Sequence, residues 1–136
     1  MKLMQQERAS FALKEVKKAK EQKIDAKEYI SYASSLPAMI HTNGLGQAAA
    51  FFKSKTKSKA HAALYSLLSD WLKKEDQPFH GQELLDGITQ ADMKTYRLAQ
   101  AEAQALMDWV KKFAKAYMGD QDSTDNKPQN IAEEAK

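Results

Sequence analysis

Residues 36–52 read LPAMIHTNGLGQAAAFF, and the reading of this stretch decides how the chain folds. The sequence on either side has helical spacing, whereas here two of the chain's five glycines, Gly44 and Gly46, stand one residue apart between apolar runs. As a phosphate-cradling loop, Gly44-Leu45-Gly46 lacks the third glycine of a dinucleotide fingerprint, a preceding strand and a following Lys-Ser/Thr pair. As a helix stop it is well formed. With Gly44 left-handed just past the helix, Ile40 lies at the third position from the end and Leu45 closes back onto it, as in a Schellman motif. Gly46 then lets the next helix leave sharply or approach a neighbouring backbone, and Gln47 opens an alanine run suited to close packing. Asn43 and Gln47 flank the corner and serve either its geometry or a partner.

Working outward, Leu3, Ala9, Phe11, Ala12, Val16 and Ala19 form an apolar stripe backed by lysines, which predicts a first amphipathic helix over residues 3–22. Asp25 is the expected N-cap of the second, with Ile24 and Tyr29 as its hydrophobic staple. Its apolar phase persists through Pro37, so a kink near Ala33 is expected rather than a break. A third helix is expected over about 47–53 and a fourth over about 56–74. A short helix in GQELLDGI should stop at Gly87. Thr89 is then the expected N-cap of the last and longest helix, with Ile88 and Met93 as staple and Gly119 as stop. Tyr96, Ala99, Ala103, Leu106, Val110, Phe113 and Tyr117 are spaced alternately three and four apart, the seam of a packed helix. The fold class is therefore all-α, a single-domain bundle of five to six helices over residues 1–119. Residues 120–136, with Ile131 as their one large aliphatic side chain, read as a disordered acidic tail.

Composition narrows the function. The 136 residues include no cysteine, which excludes disulfides, thiolate metal sites and a cysteine nucleophile. No apolar run reaches the roughly 18–20 residues needed to cross a bilayer, so a cytoplasmic protein without a membrane partner is expected. His41, His61 and His80 lie far apart with no carboxylate at ligand spacing, and no nucleophile, base and oxyanion donor are grouped. No catalytic residue, metal or cofactor is therefore expected.

Charge is the informative feature. Residues 1–60 hold 12 Lys/Arg and 5 Asp/Glu, a net +7, whereas residues 120–136 carry a net −3. Lys14, Lys17 and Lys18 share one helix face. Lys53, Lys55, Lys57 and Lys59 follow one another in KSKTKSK, an expected connector with no acid in it, and Lys111, Lys112 and Lys115 form a third cluster on the last helix. A solvated face accounts for the helical clusters, but the connector run repels itself unless it meets an anion. These ten lysines are the candidate binding residues for a polyanion, RNA once the resemblance below is taken in, since clustered lysines attract phosphate backbones whatever their sequence.

Taken together, Arg8 with Ala9, Ala12 and Val16, then Tyr29 to Tyr32-Ala33, LPAMIHTNGLGQAAAFF and Asp70-Trp71-Leu72 resemble the small α-helical subunit of type III-B CRISPR effector complexes, the fifth member of the Cmr series. The resemblance runs from about Arg8 to Lys115. It implies an all-helical, non-catalytic subunit of an antiviral ribonucleoprotein that stacks on copies of itself beside the backbone subunits and turns basic surface to guide and target RNA. Target cleavage would belong to the backbone subunits and signalling chemistry to the large subunit. The rival reading is a helical adaptor whose lysines only solubilise it or meet acidic proteins.

Overall fold

The computed structural model describes residues 3–55 and 57–119, in which the chain forms six α-helices and no strand. They are α1 (Met4–Glu21), α2 (Ala26–Asn43), α3 (Leu45–Ser54), α4 (Lys59–Leu72), α5 (Leu84–Gln90) and α6 (Met93–Met118). The chain is all-α with a long last helix, as its periodicity implies. The acidic tail expected over 120–136 lies outside the described residues.

α6 is the axis of the bundle, with α1 and α2 packed along it. Its buried stripe is Ala99, Ala103, Leu106, Met107, Val110, Ala114 and Met118. The expected seam therefore holds as far as Val110 and then turns by one residue, leaving Phe113 half-buried and Tyr117 exposed. A strict seven-residue repeat drifts about 20° per heptad around a straight helix, and over the 26 residues of α6 that drift accounts for the change of inward residues. Arg8 meets Glu102 and Lys17 meets Tyr117, so α1 runs parallel to α6. Gly46 meets Tyr96 while Pro37 meets Gln104, so α2 and the start of α3 run against it. Leu36, Ile40, Leu45, Phe52, Leu64, Leu68 and Leu72 fill the space between.

Helix starts follow local capping chemistry. The Asp25 carboxylate accepts from the Glu28 N–H at 2.9 Å, and Ile24 and Tyr29 are buried as a staple should be. α2 continues through Pro37 to Asn43. α4 is shorter at both ends than the expected 56–74, its start set by the Ser58 hydroxyl, which accepts from the His61 N–H at 3.2 Å.

Around α5 the structure departs from expectation. Gly87 does not end the helix but lies buried within it, where a Cβ would stand 2.5 Å from Cγ of the buried Phe79 ring. The glycine serves close approach rather than termination. α5 therefore runs on to Gln90, and Thr89 sits inside it with its hydroxyl donating to the Leu85 carbonyl at 2.8 Å. Asp92 caps α6 instead, accepting from the Thr95 N–H at 2.8 Å. Met93, left 68% exposed, is no staple. α6 ends at Met118, with Gly119 at a right-handed φ of −71°.

Candidate nucleic-acid interface

The corner at Gly44 sets the direction of α3 and hence the position of the lysine connector that follows it. Gly44 has φ +90° and ψ 158°, so its φ is positive but its ψ is extended, a region open essentially to glycine alone. Its N–H donates to the Ile40 carbonyl at 2.8 Å. In a Schellman motif the Leu45 N–H would also turn back to α2. Here it donates to Gln100 Oε1 at 2.8 Å, and the Gly46 N–H donates to the Tyr96 hydroxyl at 2.8 Å. Two side chains of α6 thus satisfy the first donors of α3, and α3 begins at Leu45 rather than Gln47. The Schellman pair lies at the end of α1: Lys23 has φ 61°, its N–H donates to Lys20, and the Ile24 N–H donates to Ala19. Of the residues singled out around the corner, Asn43 and Gln47 are exposed, Gly46 is half-buried against Tyr96 and Ile88, and the Pro37 carbonyl accepts from Gln104 at 3.3 Å.

α1 is held in place by one carboxylate that sequence reasoning missed. Glu102 accepts from Arg8 Nε at 2.6 Å and Nη2 at 2.9 Å, and from the Trp71 indole at 2.8 Å, joining α1, α4 and α6. Burial pushes the Glu102 carboxyl up, but the hydrogen bonds from Arg8 and Trp71 and the Arg8 charge outweigh it and hold it below the usual carboxylate range. The only signal in the sequence is an acid beside the apolar seam, between Ala99 and Ala103.

With α1 and α3 so fixed, two lysine clusters distant in sequence meet at one groove. Lys14, Lys17 and Lys18 are exposed on α1. Lys17 lies 5.5 Å from the centroid of the Tyr117 ring, whereas Lys111, Lys112 and Lys115 are exposed on α6 roughly 120–160° around the helix from Tyr117. On the other side, Lys18 and Lys59 line the same groove of about 430 Å³ between α1 and α4. The charged series therefore runs from the connector to α1, with the α6 cluster on another face of its own helix than Tyr117. It is not free of acid: Lys18 lies 3.8 Å from Glu15 and Lys112 3.3 Å from Asp108, and Asp70 lines the groove.

The lysine run is also less of a connector than KSKTKSK suggests. Lys53 belongs to the last turn of α3 and Lys59 opens α4, leaving Lys55 and Lys57 on the link. The Lys53 ammonium lies 5.0 Å from the Tyr65 ring centroid, and the Tyr65 hydroxyl donates to Glu83. Burial pushes the Glu83 carboxyl up, and hydrogen bonds from Tyr65, Leu85 and Asp86 together with the Lys53 charge bring it below its usual range. Lys55 lies 5.3 Å from the centroid of Phe51.

Chemistry of other kinds is sparse in the site. His61 is buried among Tyr32, Phe51 and Phe52 rather than beside other ligands. Among the described residues no group of three or more His, Asp or Glu is placed to hold a metal ion, and no helix is long and apolar enough to cross a membrane.

The family model described as CRISPR-associated protein (Cas_Cmr5) matches residues 4–117, which takes in all ten lysines and all six helices but for the last residue of α6. The chain belongs to the Cmr5 family. A relative, the CRISPR system Cmr subunit Cmr5 of Thermus thermophilus, is 35% identical over 89 residues, covering 65% of this chain and 74% of that protein. The resemblance carried by the Gly44 corner, Arg8 and Trp71 is thus to the family whose model matches. The Cmr5 match includes Glu102, the carboxylate on which Arg8 and Trp71 meet.

Proposed function

We propose that this chain is the small, non-catalytic subunit of a Cmr ribonucleoprotein in the cytoplasm. In this reading copies of the chain stack beside the backbone subunits and turn the lysine series toward guide and target RNA in antiviral defence. Family membership supports assembly with other Cmr subunits. The observation that carries RNA contact is the meeting of the connector and α1 clusters, with Lys18 and Lys59 in one groove. Lysine contact with phosphate is independent of sequence, which suits a complex whose sequence reading is done by guide pairing. Repeating a modest patch along a stack raises binding through effective concentration. Met93 and Leu98, 68% and 56% exposed at the start of α6, supply apolar surface for contact with a neighbouring subunit.

Changing Lys53, Lys55, Lys57 and Lys59 together to Glu tests the reading. The variant should still join the complex, lose at least about tenfold in target RNA capture at low salt, and show a salt slope shallower by about 0.7 for each phosphate contact removed from a single strand. Unchanged capture by the assembled variant would remove the connector from the RNA surface. Failure of assembly alone, with RNA affinity intact, would favour the adaptor reading.

A further inference from the structure

The Lys-rich end of α3 carries an aromatic ring whose exposure the lysines do not explain. Phe52 is buried, whereas its neighbour Phe51 is 42% exposed. Phe51 is nevertheless held from behind: Phe52 meets it at 6.1 Å and 64°, and His61 at 6.2 Å and 69°, so neither ring stacks on it. His61 is itself packed on Tyr32 at 3.9 Å. Burial pushes the His61 imidazole below its ordinary range, and the Lys55 charge adds to this, so the cluster behind Phe51 is uncharged at neutral pH. The group above the ring is the Lys55 ammonium, 5.3 Å from its centroid on a flexible stem.

We propose that Phe51 is a stacking platform for one unpaired nucleobase of single-stranded RNA, with Lys55 and Lys57 taking the adjoining phosphates. This rests on the reading that RNA is the ligand, and it adds a mode of contact that lysines alone do not supply. A ring already fixed by its neighbours loses little freedom on stacking, and every base has a face to offer, so the contact is tolerant of sequence. A duplex keeps its bases stacked inside, so the site selects single strands. The absence of any acid from residues 51–60 favours a polyanion over an apolar protein segment as the occupant.

The test compares a labelled single-stranded RNA with an abasic strand of equal length, and follows the fluorescence of a 2-aminopurine base, using the full chain and the assembled complex. The parent should bind the base-bearing strand about five- to a hundredfold more tightly and quench the probe. Phe51→Ala and Phe51→Leu should lose both effects with an unchanged salt slope, and Phe51→Tyr should keep them. If Phe51→Leu retains the preference and the quenching, stacking is overturned while RNA binding by the lysines stands. If the parent binds neither strand, alone or in the complex, both readings fall. A Phe51→Ala chain that binds both strands as the parent does but fails to assemble assigns the ring to a protein neighbour and overturns the proposal.

Discussion

α3 is entered and left in opposite ways. At its start the chain reverses through a single residue, Gly44, and the exposed donors of the new helix are taken by Gln100 and Tyr96 from a helix 50 or more positions away. At its end the chain passes into α4 through Lys55–Ser58, where the cap comes from Ser58 itself and the lysine side chains are exposed. One end is defined by what surrounds it, the other by its own sequence. A turn whose hydrogen bonds come from elsewhere cannot change without disturbing the core, whereas a self-capped link leaves its side chains free for ligands.

The sharpest way to break this contrast is Gly44→Val. A β-branched residue at φ +90° is strained wherever there is space, and its Cβ would also stand 3.4 Å from the Tyr96 hydroxyl. A loss of about 2–3 kcal/mol is expected in urea unfolding; a smaller change than about 1 kcal/mol would mean that the corner relaxes and is not defined by its surroundings. Gln100→Ala should cost less, about 1–2 kcal/mol, by leaving the Leu45 N–H without its partner. Native-state hydrogen exchange at Leu45 should quicken in this variant and stay unchanged at His61, and equal effects at both ends would erase the distinction.

The smallest effect belongs to the far side of the link. His61 in the folded chain has its pKa lowered, chiefly by burial, with Lys55 also lowering it and Glu28 opposing. The unfolded chain therefore takes up a proton near pH 6.5 while the folded chain does not. Stability should fall as pH drops through about 6.5 and keep falling until the buried imidazole itself protonates. His61→Phe should flatten that part of the stability curve; a slope identical to the parent's would show that His61 titrates as it does when unfolded.

The same contrast explains what could be read without coordinates. Apolar spacing located α1, α2, α4 and α6 because each buries a stripe, and Asp25 capped α2 because its signal is local. Boundaries failed where two local signals competed. Thr89 and Asp92 are both acceptable caps, and what chose between them was Phe79 packing on Gly87, which let α5 continue. Gln100, Tyr96 and Glu102 were illegible as partners because nothing within a few residues of each points to Leu45, Gly46 or Arg8. The lysines were visible as clusters, but the meeting of Lys18 with Lys59 was not, since it depends on α1 lying beside α4.

The parallel arrangement of α1 and α6 also bears on how the chain is made. α1 leaves the ribosome before α6, yet the surface it docks on is mainly α6, and the carboxylate that anchors Arg8 is residue 102. Until most of the polypeptide has been synthesised, the apolar stripe of Ala12, Val16 and Ala19 has no partner to cover it. A stripe of small residues backed by lysines is one of the less aggregation-prone faces a helix can leave uncovered while it waits.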